Sequence, residues 1–179
     1  VTSIVMSVTF ARGHRSGGSM AIGVALIGVF AISVLWIRDF PQSGRELMIW
    51  LVLAVWFTDT GAYFFGRIIG GMRLAPKVSP NKTWSGLFGG ILLASIWSGF
   101  WLTADGYSGL VPALGAGISI AVLAQVGDLL VSVVKRRYGV KDASGLIPGH
   151  GGVLDRLDSL LLSAPTVAIV LLVAGRSWN

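Results

Sequence analysis

Five stretches long and apolar enough to enter a bilayer follow one another along this chain: Met20–Ile37, Leu47–Phe65, Leu87–Leu102, Val111–Val134 and Leu160–Ala174. About 30 Å of hydrocarbon divided by 1.5 Å per helical residue asks for roughly 20 apolar residues per span. The expected architecture is therefore all-α: a polytopic transmembrane helix bundle of five full spans. Residues 1–11 read as the tail of a further apolar segment, a partial N-terminal span. Leu87–Leu102 is short but is flanked by Trp84, Trp97 and Trp101, and Pro165 is placed to kink the last span.

Composition agrees. The chain is 54% hydrophobic and 12% charged, about half the charged fraction of a soluble domain. There is no cysteine, which removes disulfides and thiolate metal sites. The net charge of +6 does not point to nucleic acid, because its placement follows membrane topology. Lys and Arg concentrate in loops 12–19, 66–85 and 135–158, while loop 103–110 has none and loop 38–46 balances Arg38 and Arg45 with Asp39 and Glu46. Alternation puts the three basic loops on one side, the cytoplasmic side by the positive-inside rule. Neither an internal repeat nor a low-complexity linker interrupts the chain, so residues 1–179 read as a single membrane-embedded catalytic domain.

The chemistry concentrates between the last two apolar stretches. Residues 127–158 hold Asp128, Asp142, Asp155 and Asp158, five cations (Lys135, Arg136, Arg137, Lys141 and Arg156), His150 and several glycines. Carboxylates bind hard cations, Lys and Arg bind phosphate, and glycines admit close backbone approach. Asp128 and Asp59 lie within apolar stretches, where a carboxylate costs roughly 2.5–3.5 kcal/mol at mid-span, and are functional candidates for that reason. On a helix Asp128, Ser132 and Lys135 share one face. Asp155 and Asp158 are also three apart, so carboxylates from two helix ends are expected around a divalent ion, with oxygen-only ligands favouring Mg²⁺. The run Pro148-Gly149-His150-Gly151-Gly152 leads into the last helix, an arrangement that offers backbone N–H groups to an anion. A second cluster, Ser79-Pro80-Asn81-Lys82-Thr83, precedes the third span. Lys82 there offers a phosphate a point charge and Ser79 and Thr83 offer hydroxyls, although an anchor at the membrane surface accounts for the cluster equally well.

The pattern Ser132-x-x-Lys135-Arg136-x₄-Lys141-Asp142-x₅-Pro148-x-His150-Gly151-Gly152-x-x-Asp155-Arg156-x-Asp158 resembles the signature of the phosphatidate cytidylyltransferase family, also called CDP-diacylglycerol synthases. Asp59-Thr60-Gly61-Ala62-Tyr63-Phe64-Phe65-Gly66-Arg67 and the Ser79–Thr83 cluster resemble that family's other shared segments, in the expected order. The resemblance covers about residues 47–165. It departs where the family often has glutamate and this chain has Ser85 and Val131. Family members are usually longer at the N-terminus, so the resemblance implies further helices before Val1.

The resemblance implies a reaction of CTP with phosphatidic acid giving CDP-diacylglycerol and pyrophosphate, at the cytoplasmic face of a bacterial inner membrane. It implies Mg²⁺, with room for a second cation, held by Asp128 and Asp155 with Asp158 and Asp59 as additional ligands. Lys135, Arg136, Lys141 and Arg156 would then hold phosphates, Ser79, Lys82 and Thr83 would complete the phosphate site, and Ser132, His150, Gly151 and Gly152 would line it. A homodimer is compatible with the family, though no helix shows a clear Gly-xxx-Gly seam. Two alternatives stand beside this reading. One is an ion-coupled transporter using Asp59 and Asp128, and the other is an inactive fragment of the synthase.

Overall fold

The computed structural model describes residues 17–104, 106, 108–137, 139 and 157–175. In chain order they form α1 (Gly17–Arg38), α2 (Gly44–Ile68), β1 (Arg73–Ala75), β2 (Ser79–Thr83), α3 (Trp84–Ala104), α4 (Leu110–Arg137) and α5 (Leu160–Gly175). The helix bundle expected from hydropathy is there. Three of its helices, α2, α3 and α4, are long and apolar enough to cross a membrane, and α1 and α5 contribute shorter apolar stretches, Gly23–Arg38 and Leu160–Val173. Three of the five expected spans thus reach crossing length among the described residues. The helix α5 runs through Pro165 without a break.

The bundle is built with small residues inside and large ones outside. Gly61, Gly86, Gly89, Gly90, Ala94, Ser98, Gly117, Ala121, Ala124 and Ala164 are buried, whereas Ile32, Trp56, Phe88, Phe100, Val111 and Ile169 are each more than 60% exposed. Lipid tails solvate a large apolar side chain as well as a protein core does, so close backbone packing, not removal from water, holds such helices together. The α2–α3 contact is the tightest case. A Cβ at Gly61 would lie 2.5 Å from the Gly89 carbonyl oxygen, and one at Gly90 would lie 2.7 Å from that of Thr58. On α3 this contact is made at the glycines at 86, 89 and 90. Gly61→Val is expected to destabilise the bundle by about 1–3 kcal/mol, read as a lower midpoint of detergent-driven unfolding.

Serine and threonine hydroxyls within the bundle are satisfied locally, whereas the buried Trp101 indole N–H has no partner among the described residues. The hydroxyls of Ser33, Thr58, Ser95 and Ser163 donate to the carbonyl four residues earlier, at 2.6–2.9 Å. Between helices, the Trp50 indole N–H donates to Ser98 Oγ at 3.0 Å, and that of Trp97 donates to the Trp50 carbonyl at 3.2 Å.

Loop 66–85 is not irregular throughout. Gly70 and Gly71 take positive φ values of 64° and 100°, the left-handed conformation that ends a helix, and the chain turns into an antiparallel hairpin. Arg73 pairs with Thr83 and Ala75 with Ser79, with a bulge between. Thr83 then starts α3, its Oγ1 accepting from the Gly86 N–H at 3.1 Å and so satisfying a first-turn donor. Ser85 ties the two ends of the loop together, its hydroxyl donating to the Gly70 carbonyl at 2.5 Å.

The basic run does not begin a loop, as the sequence suggested. Lys135, Arg136 and Arg137 form the last turn of α4, where cations meet the negative end of the helix dipole favourably. Arg136 Nε donates to the Val78 carbonyl in the hairpin turn at 3.3 Å. That contact brings loop 66–85 and the end of α4 to the same end of the bundle, as charge alternation required.

Candidate active site

Four elements converge at that end: the last third of α2, the hairpin, the last third of α4 and the residues before α5. Asp59 lies nine residues before the end of α2, and Asp128 lies nine before the end of α4. Both carboxylates are therefore about 13 Å below their helix ends. This matched depth lets them act on each other electrostatically, and Asp59 also senses Lys82.

Asp128 Oδ2 lies 2.5 Å from Lys82 Nζ. Its Oδ1 accepts from the Ser132 hydroxyl at 3.3 Å, as the i,i+4 spacing predicted. Next to this pair, Lys135 Nζ stands 4.0 Å from Asp158 Oδ2. Asp158 Oδ1 accepts the Ser159 backbone N–H at 2.8 Å and the Ser159 hydroxyl at 3.4 Å. The four charged side chains are mostly withdrawn from solvent, at 16% and 26% exposure for Lys82 and Asp128 and 14% and 13% for Lys135 and Asp158. Burial, then the charge of Asp128, push the Asp158 carboxyl up to about 6. Among the described residues three carboxylates thus share a partly dry cluster with Lys82 and Lys135.

Gly127 sets the spacing. A Cβ there would lie 2.7 Å from the Asp158 carbonyl oxygen, so glycine permits α4 to approach the segment bearing Asp158.

The chemistry of this donor set fits a hard cation, though not as a complete cage. Among the described residues no three carboxylates or imidazoles converge closely enough to enclose a metal. Of the expected set of Asp59, Asp128, Asp155 and Asp158, Asp155 lies outside the described residues, and the other three act on one another electrostatically. Mg²⁺ commonly takes only one or two carboxylates from a protein and completes its shell with water and substrate phosphates. Asp128 and Asp158 meet that requirement.

Two other candidate residues have local structural partners. Thr83 Oγ1 is engaged in capping α3 and in contact with Ser85 Oγ at 3.0 Å, so its role is to fix the turn after Lys82. Ser79 pairs with Ala75 at the turn end of the hairpin, three residues and about 10 Å along the strand from Lys82. The structure does not bring it beside the charged cluster. Lys141, His150, Gly151, Gly152, Asp155 and Arg156 lie outside the described residues.

The family described as the cytidylyltransferase family matches residues 1–174. This chain belongs to the cytidylyltransferase family. Three bacterial relatives carry the name phosphatidate cytidylyltransferase. That of Brucella suis is 43% identical over 159 residues, 84% of this chain and 56% of the relative. That of Rickettsia bellii is 35% identical over 164 residues, 88% of this chain and 71% of the relative. That of Staphylococcus epidermidis is 36% identical over 171 residues, 94% of this chain and 66% of the relative. The chain spans just over half the length of the Brucella relative it matches.

The cytidylyltransferase match includes every residue of the charged cluster. Several contributors were not singled out from the sequence. Ser159 follows Asp158 directly and orients its carboxylate, and a serine at a helix start is a recognisable capping signal. Gly127 and the Val78 carbonyl carry no such signal, because their roles arise from segments distant in the chain.

Proposed function

We propose that this chain transfers the cytidylyl group of CTP to phosphatidic acid, releasing pyrophosphate and forming CDP-diacylglycerol. The observation that carries the reading is the half-buried alternation of Lys82, Asp128, Lys135 and Asp158 at one end of the apolar bundle. Such a cluster meets a water-soluble polyanion on one side and a membrane lipid on the other. The names of the relatives supply the same reaction.

In the proposed reaction a phosphate oxygen of the lipid attacks the α-phosphorus of CTP in line. The bond from that phosphorus to the bridging oxygen breaks, and the electron pair leaves with pyrophosphate. Both reactants are polyanions, and fixed cations offset their repulsion and the charge gathering on the leaving group. No strong base is needed, because a phosphate monoester is already largely ionised at pH 7. Lys82, Lys135 and Arg136 hold phosphates from the described elements, and Lys141, His150, Gly151, Gly152 and Arg156 complete the cradle. Asp128, Asp155 and Asp158, with Asp59 as an additional ligand, would hold Mg²⁺. When bound there, Mg²⁺ neutralises phosphate oxygens at the reacting centre. The chain is assigned to a bacterial inner membrane with this end of the bundle toward the cytoplasm, on the strength of its basic residues. A homodimer is carried with this reading on family grounds alone.

Incubation of the detergent-purified protein with phosphatidate, Mg²⁺ and labelled CTP, followed by organic extraction, tests the proposal. Label is expected in the lipid phase, and EDTA is expected to reduce it to background. Absence of label with folded protein, or label indifferent to EDTA, would overturn the reaction or the metal requirement respectively.

A further inference from the structure

Lys82 occupies the position that a metal on Asp128 would need. Its Nζ is 2.5 Å from Asp128 Oδ2, yet the ammonium is fully buried and directs no hydrogen bond of good geometry at any described acceptor. An ammonium in a settled structural ion pair aims its protons at carboxylate and carbonyl oxygens. Here the described residues give the ammonium one short carboxylate contact and no further partner. The surrounding acids reinforce it, since Asp59 feels both Lys82 and Asp128, and Asp158 feels Asp128, Lys135 and Asp59.

From this we infer that Lys82 is an exchangeable counter-ion: it neutralises Asp128 when no divalent cation is present, and gives up that carboxylate to the metal and turns to a nucleotide phosphate when both arrive. The inference rests on the proposed metal–nucleotide reading of the site. The physical argument is exclusion. Mg²⁺ binds carboxylate oxygen at about 2.0–2.1 Å, and an ammonium already within hydrogen-bond distance of that oxygen would be forced close to a second positive charge. One of the two must leave. Lysine suits the exchange, being a compact point charge on a flexible four-carbon stem. Its strand suits it as well. The hairpin is short, and its turn is fastened to α4 by the bond from Arg136 Nε to the Val78 carbonyl.

Two consequences follow. Metal binding without nucleotide is weakened by the competing ammonium. Metal and nucleotide strengthen each other's binding, because the lysine displaced by one is delivered to the other, and such coupling is reciprocal.

The test is a titration with Mn²⁺ followed by electron paramagnetic resonance, on detergent-solubilised full chain, with and without CTP. Lys82→Met removes the charge and keeps the stem. It is expected to bind Mn²⁺ alone about tenfold more tightly than the wild type, and to lose most of the tightening that CTP produces. Lys82→Arg, which keeps the charge, is expected to stay near the wild-type affinity without nucleotide. Lys82→Gln gives a second neutral side chain should the methionine variant fail to fold, and each variant is checked for a monodisperse elution profile. Wild-type binding of Mn²⁺ combined with unchanged or weaker binding in the folded neutral variants would overturn the exchange and leave the metal site standing. Absence of Mn²⁺ binding in the wild type, with and without CTP, would overturn both.

Discussion

Asp128→Asn is expected to lower CTP-dependent labelling of phosphatidate by about a thousandfold, with the protein still inserted and folded. Asp128 joins two elements, touching Lys82 of the hairpin through Oδ2 at 2.5 Å and accepting from Ser132 of α4 through Oδ1. It also lies within the field of Asp59 and Asp158. Asparagine keeps the shape and the hydrogen bond from Ser132 and removes only the charge. The loss then measures what the charge does, either by holding a cation or by holding Lys82 in reach. A stability cost is expected too, since Lys82 is left buried without an anionic partner. The double variant Asp128→Asn with Lys82→Met separates the two effects: it is expected to regain the lost stability and none of the lost turnover. Recovery of labelling in the double variant would show that Asp128 serves only to neutralise Lys82.

The second large effect is expected at a residue with no functional group. Gly127→Ala places a methyl 2.7 Å from the Asp158 carbonyl oxygen, and backbone cannot swing aside as a side chain can. The end of α4 and the Asp158 segment must separate, carrying Lys135 away from Asp158 and both away from Asp128. A displacement of about 1 Å at a reacting centre costs roughly a hundredfold in rate, and that is the expected fall in labelling. Gly115→Ala on the same helix is the control. A Cβ there meets nothing within 4 Å, and activity is expected to be unchanged. An equal loss in both variants would mean that alanine acts through the helix in general and not through the α4–Asp158 contact.

The parts of this protein that were readable in advance are those that depend on neighbours in the chain. Apolar runs of bilayer length announced the helices, and the spacing of Asp128, Ser132 and Lys135 placed them on one face, which the Ser132–Asp128 hydrogen bond bears out. The hairpin was not readable. Its second strand, Ser-Pro-Asn-Lys-Thr, has no alternation of apolar and polar residues and carries a proline. It forms because glycines turn the chain at Gly70 and Gly71 and because Ser85 and Arg136 fasten it to its surroundings. The ion pairs are hidden for the same reason: Lys82 and Asp128 each suggest a role by their own surroundings, but nothing local says that residues so far apart in sequence meet. The departure at Ser85 finds a local explanation, in that its hydroxyl closes the base of the hairpin.

The hairpin also fixes how deep the protein sits. A two-stranded sheet has two open edges, and open edges are not tolerated in hydrocarbon. Where those edges are not covered by protein, Arg73–Thr83 rides in the headgroup layer, like a float. Helix α4, with 28 residues, is about 42 Å long, some 12 Å more than the hydrocarbon is thick. If that excess emerges on the float's side, the oil–water boundary crosses α4 close to Asp128, the residue that Lys82 reaches from the float. A lipid phosphate drifting in its own leaflet would then meet the charged cluster at the level where it already travels, without being lifted out of the membrane or drawn into it.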